Sequence, residues 1–211
     1  MMEGQAPEQL EERPPMSLML NKEAQDLLFR DARTANSFSD EPVSDQQIQA
    51  IYDLVKYAPT SLNMQPLRIV LVRSPEARQR LVDTMAEGNK TKTLAAPLTA
   101  ILAADHEFHE KFDKTFPHVP GVKDWFGQEQ ARIEAGRFNG ALQVGYFIVG
   151  VRAAGLAAGP MTGFDAQALN KEFFPDGDHS VLAVVNIGKP GENAWFDRNP
   201  RLDYHEVVQT V

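Results

Sequence analysis

The stretch Ala58-Pro59-Thr60-Ser61-Leu62-Asn63-Met64-Gln65-Pro66 lies between a helix-patterned segment and the apolar run Leu67 to Val72. It packs two hydroxyls, two carboxamides and two prolines between regular elements, the composition of a rigid loop that presents polar groups to a ligand. On its N-terminal side, Ser44-Asp45-Gln46-Gln47 has the form of a capping box, and Ile48, Ile51, Tyr52 and Val55 follow on one helical face. On its C-terminal side, Leu67 to Val72 is β-branched and apolar enough for a buried strand. Ser74-Pro75 then suits the N-cap and first position of a helix ending near Glu87-Gly88.

Working outward, Asn21 is a suitable N-cap for a helix with Ala24, Leu27, Leu28 and Ala32 on one stripe. The chain breaks toward turn-forming residues between Arg30 and Phe38, where two arginines either complement the helix dipole or form an anion site. Gly88 to Thr93 is expected to be a polar loop carrying Lys90 and Lys92, solvated by default, and Leu98 to Ala104 a second buried strand. Asp105 to Gly127, rich in Phe and His and punctuated by proline, suits a lid or pocket wall.

Gln128 to Ala154 is the strongest helix candidate. Phe138, Ala141, Leu142, Gly145, Tyr146 and Val149 form one stripe, and Val144, Phe147, Ile148 and Val151 make the opposite side apolar too. Gly136, Gly140, Gly145 and Gly150 each cost about 1 kcal/mol against alanine, a cost offset where another backbone approaches closely, in the core or at a dimer interface. Ala157 to Asp165 is expected as a compact loop, a short helix runs to about Glu172, and Val181 to Ile187 is a central strand.

The 211 residues carry a formal charge of -8, which disfavours broad nucleic-acid or anionic-membrane binding. There is no cysteine, so disulfides, thiolate nucleophiles and cysteine-ligated metals are excluded. No apolar run is long enough to span a bilayer and no signal-peptide pattern is present, so a cytoplasmic protein is expected. Residues 1 to 20, acidic and proline-bearing, read as a tail or a partner-wrapping arm, and residues 21 to 211 as one domain. His106 and His109 stand three apart among acidic residues and fit no metal motif, so no metal is expected. With no Walker loop, Gly-x-Gly-x-x-Gly fingerprint or Gly-x-Ser-x-Gly elbow, the chemistry belongs to a bound cofactor.

Together these pieces resemble the nitroreductase family of flavin enzymes. Pro59-Thr60-Ser61-Leu62-Asn63-Met64-Gln65-Pro66 is similar to its Pro-Ser-Ser-x-Asn-x-Gln-Pro signature, with Thr60 in place of serine. Gly88-Asn89 with Lys92, Gly159-Pro160-Met161-Thr162-Gly163-Phe164-Asp165 and Arg201 fall in the family's order, so the resemblance covers about residues 20 to 211. Asp31-Ala32-Arg33-Thr34-Ala35-Asn36 and Phe116-Pro117-His118 are similar to the subgroup that includes malonic semialdehyde reductase of pyrimidine utilisation.

The resemblance implies an α+β fold, a three-layer α/β/α sandwich with a mixed central sheet, in an intertwined homodimer with two FMN sites. It implies reduction of 3-oxopropanoate to 3-hydroxypropanoate with NADH or NADPH. Pro59, Thr60, Ser61 and Asn63 would contact the flavin held mainly by the other subunit, and the C-terminal segment would cross to the partner. Arg33 and Arg201, with Thr34 and Arg198 in support, would take the FMN phosphate, a dianion suited to fork-shaped donors. Asn89 and Lys92 would face the pyrimidine edge, and backbone amides around Thr162 and Gly163 would sit near N5. Asn36 departs from the cation that many members carry near N1 and O2, and a neutral group there would leave negative charge on the ring less stabilised. Arg33 also stands one residue later than the family's usual first arginine. No side chain stands out as proton donor. A broad nitroaromatic or quinone reductase, or a non-catalytic flavin-binding protein, would keep the same cofactor residues.

Overall fold

In the computed structural model, which describes residues 18–211, the chain builds a four-stranded sheet in the order β1-β2-β4-β3. The strands are β1 (Leu67–Val72), β2 (Leu98–Asp105), β3 (Ala157–Met161) and β4 (His179–Gly188). Residues 1 to 17 of the expected tail lie outside the described part.

The helices are α1 (Lys22–Gln25), α2 (Asp45–Val55), α3 (Pro75–Thr84), α4 (Glu87–Ala95), α5 (Phe112–Thr115), α6 (Glu129–Ala153), α7 (Ala166–Phe173) and α8 (Tyr204–Val207). Asn21 caps α1 by accepting from the Ala24 amide at 2.9 Å. The Ser44 capping box closes at both of its bonds, and Ser74 caps α3 with Pro75 in the first turn.

Two hydrophobic layers sandwich the sheet. Leu98, Ala100 and Leu102 of β2 and Val185 and Ile187 of β4 pack toward α2 and α6, with Ile51, Val55, Phe147 and Val151. Ile101 and Ala103 of β2 and Val181 and Val184 of β4 pack the other way, against α3 and α7 through Leu81 and Leu169. Strand alternation therefore feeds both layers, which makes the expected α/β/α sandwich.

Every pairing in this sheet is antiparallel, so the mixed sheet implied by the resemblance is not found among the described strands. The connections explain it: β2 directly neighbours β1 and β4, and no helix carries the chain back to a parallel neighbour. Two further expectations change. Gly88 to Thr93 is not a loop but most of α4, because α3 already ends at Thr84 and the chain turns through Met85 and Ala86. Ala157 to Met161 is not loop but edge strand β3, where Pro160 is tolerated because only one side must hydrogen-bond.

α6 touches all four strands as well as α2. A Cβ on Gly150 would fall 2.2 Å from Val55 Cγ1, and one on Gly140 2.8 Å from Leu182 Cδ1, so both glycines permit close approach within the chain. Gly145 is different, since a Cβ there would meet nothing within 4 Å. It lies on the stripe with Phe138, Leu142 and Tyr146, all of which are exposed. The segment after β2 is more ordered than a bare lid: Phe108, Phe112 and Val122 are buried with Met64 in a small third cluster, while Trp125 stays exposed.

Candidate functional site

Arg33, Thr34, Asn36, Arg198 and Arg201 line one pocket of about 180 Å³, with Ala32, Phe196, Asp197 and Asn199. The arginines reach it from opposite ends of the sequence, and the contacts that join them are backbone ones. Arg33 Nη1 donates to the Phe196 carbonyl at 3.1 Å, and Arg198 Nη2 donates to the carbonyls of Arg30 and Ala32. Arg201 Nη1 donates to the carbonyls of Asn199 and Pro200 at 2.8 and 3.1 Å. Among the described residues none of the three forms an ion pair, and the three guanidinium charges converge on a pocket lined by a single acidic residue, Asp197. That is the electrostatic signature of an anion site. Asn36 sits at this end of the site, its Nδ2 donating to the Thr34 carbonyl at 3.3 Å.

Arg152, at the last turn of α6, was not singled out from sequence, where a basic residue at a helix end explains itself. Burial and the nearby Arg198 charge push its guanidinium below the usual range, and its Nε is buried without a hydrogen-bond partner among the described residues. It lines a second pocket of about 460 Å³ that shares Ala32 and Arg33 with the first.

β3 connects this cationic end to the other predicted contacts. The Ala35 amide donates to the Ala158 carbonyl at 3.1 Å, and a Cβ on Gly159 would fall 2.7 Å from the Ala35 oxygen, so the 32–36 segment lies directly on β3. From Ala158 to Thr162 an extended chain covers roughly 13 Å. At the far end the Gly163 carbonyl accepts from the Ala86 amide at 3.0 Å and from Asn89 Nδ2 at 2.9 Å. No hydrogen bond among the described residues uses the amide of Thr162 or of Gly163. Two donors are thus left open where the turn is clamped from behind. Pro160, Met161 and Thr162 also line an apolar groove of about 440 Å³ against Arg137, Ala141, Val144 and Ile148 of α6.

Asn89 of α4 therefore supports the turn from behind, and Lys92, one turn further along α4, is half-buried with no carboxylate in ion-pair range among the described residues. Pro59, Thr60, Ser61 and Asn63 are placed elsewhere. Their loop bonds α6 and the segment after β2, and no hydrogen bond joins it to the arginines or the Thr162–Gly163 turn within the chain. It is held in an unusual shape: Leu62, Asn63 and Gln65 have φ of 49°, 50° and 42°. Such non-glycine left-handed residues cost on the order of 1–3 kcal/mol each and persist where surroundings over-determine them.

Those surroundings are specific. Ser61 donates its amide to Asn139 Oδ1 at 2.8 Å, and Leu67 donates to Gln143 Oε1 at 2.9 Å. Thr60 Oγ1 accepts from the Gln65 amide at 3.2 Å. Asn63 Nδ2 donates to the Thr115 carbonyl at 2.7 Å while its Oδ1 accepts from Gln65 Nε2 at 2.9 Å. Arg68 donates to the Gln65 and Leu67 carbonyls and pairs with Asp105 at 2.5 Å. Asn139 and Gln143 passed unnoticed in the sequence; the available signal was two carboxamides four apart in a helix otherwise apolar on both faces.

No group of three or more His, Cys, Asp or Glu able to hold a metal occurs among the described residues. His106 instead bonds Ser180 Oγ through Nε2 at 2.8 Å, and His179 Nδ1 pairs with Asp178 at 2.5 Å. No helix among the described residues is long and apolar enough to cross a membrane.

The profile of the nitroreductase family matches residues 30–189, and the chain belongs to that family. A Streptomyces coelicolor protein with the provisional name NADH dehydrogenase/NAD(P)H nitroreductase is 65% identical over 197 residues, covering 93% of this chain and 100% of the relative. A Ralstonia nicotianae protein of the same provisional name is 44% identical, covering 88% and 95% of the two chains. Among solved structures, an NAD(P)H:FMN oxidoreductase from Staphylococcus epidermidis superposes with a TM-score of 0.81 at 17% identity, covering 92% and 98%. A nitroreductase in complex with FMN from Exiguobacterium sibiricum gives 0.79 at 16% identity, covering 92% and 100%. At these identities the structures establish the shared fold.

Proposed function

We propose that the protein is an FMN-dependent NAD(P)H oxidoreductase acting as a cytoplasmic homodimer, and that its acceptor is 3-oxopropanoate. The observation that carries the cofactor is the placement of three arginines at one end of β3, and of two amides at the other, that form no ion pair and no hydrogen bond respectively among the described residues. The donor set fits a ligand with a dianion at one end and a flat, acceptor-bearing ring at the other. FMN, when bound, supplies the relay of hydride between a nicotinamide and the acceptor.

In this reading Arg33, Arg198 and Arg201 hold the phosphate, with Thr34 beside them. The amides of Thr162 and Gly163 point hydrogen-bond donors at the ring, and Asn89 fixes that peptide by holding the Gly163 carbonyl. Lys92 adds a cation at the pyrimidine edge. Pro59, Thr60, Ser61 and Asn63 reach the flavin of the second subunit, which accounts for a shaped loop that is hydrogen-bonded to none of the other site residues in its own chain. The exposed Phe138, Leu142 and Tyr146 stripe, with open Gly145 beside it, is the surface the second subunit covers.

A second reading, reduction of nitroaromatics or quinones, is favoured by the relatives' names and by the aromatic segment around Phe116, Trp125 and Phe126. Anaerobic mixing with NADH or NADPH tests the core of the proposal: a yellow protein should bleach, and a colourless or unbleached one refutes it. Reoxidation by 3-oxopropanoate, a nitroaromatic and a quinone then ranks the acceptors, and faster turnover on either of the last two selects the second reading.

A further inference from the structure

The loop that carries the left-handed residues Leu62, Asn63 and Gln65 is bonded within itself and also anchored from outside. Its two ends are bound to a single helix, one turn apart: Ser61 N–H to Asn139 Oδ1 at 2.8 Å and Leu67 N–H to Gln143 Oε1 at 2.9 Å. Both carboxamides are buried, at 4% and 8% exposure, where a polar group persists only if its bonds are made. The orientation of Asn139 is fixed as well, because Nδ2 donates to the Ala135 carbonyl at 2.9 Å and leaves Oδ1 facing the loop. The helix also packs closely on the strand that supports the loop: a Cβ on Gly136 would lie 3.2 Å from the Asp105 carbonyl, and Asp105 is paired with Arg68, which donates to the Gln65 carbonyl.

The loop's remaining polar groups are mostly committed. Asn63 is divided between Thr115 and Gln65, and Thr60 Oγ1 accepts from Gln65. The Ser61 hydroxyl makes no hydrogen bond among the described residues and is exposed. An open, exposed group is thus on the residue whose amide Asn139 grips.

We infer that Asn139 is a positioning residue for flavin binding, acting through Ser61, with Gln143 as its second anchor. The inference rests on the proposed FMN function. Asn139 does not touch the cofactor in its own right; it sets the direction in which Ser61 is presented to the neighbouring subunit's site. α6 also bears the exposed Phe138 and Leu142, each adjacent in sequence to an anchor, so the loop is referenced to the same helix that faces the second copy.

The test is a double-mutant cycle on the full-length dimer. FMN affinity is measured by flavin fluorescence quenching for the wild type, Asn139→Leu, Ser61→Ala and the double variant. Loss of one hydrogen bond's directing effect should weaken FMN binding about tenfold in each single variant. Because Asn139 acts through Ser61, the double variant should be little weaker than either single one. Hydrogen exchange across residues 60–67 should rise in Asn139→Leu, and Ile51→Val, a packing change on α2, should lower Tm without altering affinity. Unchanged FMN affinity in Asn139→Leu, or losses that simply add, overturns the inference. A wild type that binds no FMN overturns the proposed function and the flavin role together, while exchange across 60–67 still reports whether Asn139 fixes the loop.

Discussion

Asn89 Nδ2 donates to the Gly163 carbonyl at 2.9 Å, and a Cβ on Gly163 would lie only 2.6 Å from that same nitrogen. The turn after β3 is therefore fitted to a residue without a side chain. Gly163→Ala should displace either Asn89 or the turn and weaken FMN binding roughly tenfold, ~1.4 kcal/mol. Combining it with Asn89→Ala should remove the clash, so the double variant should bind FMN no worse than Asn89→Ala alone. Flavin titration of the three variants checks this.

The three arginines at the other end predict a dependence on the ligand's phosphate. Wild-type protein should prefer FMN strongly to riboflavin, and Arg33→Ala or Arg201→Ala should each narrow that preference by roughly tenfold. Riboflavin affinity should barely change, because the ring contacts are untouched. If both ligands weaken equally in Arg201→Ala, the arginine is shaping the pocket and not holding a dianion.

Packing between α2 and α6 gives a prediction on stability alone. A Cβ on Gly150 would sit 2.2 Å from Val55 Cγ1 and 3.3 Å from Ile51 Cγ2, both on a buried helix face. Gly150→Ala should destabilise by about 1–3 kcal/mol through overpacking. In a Val55→Ala background the same substitution should cost less, a coupling that denaturant melts of the four proteins would reveal.

His106 makes stability fall on the acid side of neutrality. Burial is the main reason its pKa lies below the ordinary histidine value of 6.5; the neighbouring His179 lowers it further, while Asp105, Asp178 and Glu107 oppose the shift. The unfolded chain therefore takes up this proton first, and stability present above about pH 6.5 declines as pH drops toward the folded value. His106→Asn keeps a partner for Ser180 without titrating. The Tm difference between wild type and variant should move against the wild type between pH 7.5 and pH 5; a constant difference would refute the assignment.

Much of this architecture is written locally. The Ser44 capping box, Ser74-Pro75, Asn21 and the apolar runs of β1, β2 and β4 all lie where their own side chains place them, because caps and buried strands depend on near neighbours. The failures share a cause of the opposite kind. α4 contains Gly88, Asn89, Thr91 and Thr93, weak helix formers that a turn at Met85 and Ala86 and packing of buried Thr93 nonetheless organise. β3 contains Gly159 and Pro160, which look like loop until β4 is available as a partner on one side only. The arginine pocket could be named from motif order, whereas Arg152, Asn139 and Gln143 owe their roles to burial and partners far away in sequence. Gly88 to Thr93 is helix where a loop is expected, and Asn89 within it holds the Gly163 carbonyl.

With FMN bound as proposed, β3 would act as a gauge of ligand length. One end is pinned beside the arginine pocket by Ala158, the other runs into the clamped turn at Gly163, and Gly159, Pro160 and Met161 between them are paired to β4. Inserting two residues would preserve which side chains face the core yet separate the two ends by about 7 Å more. Such a protein would keep the alternation of its sheet but would be sized for a different molecule, so the residue count of this strand would matter to the proposed ligand as much as its composition.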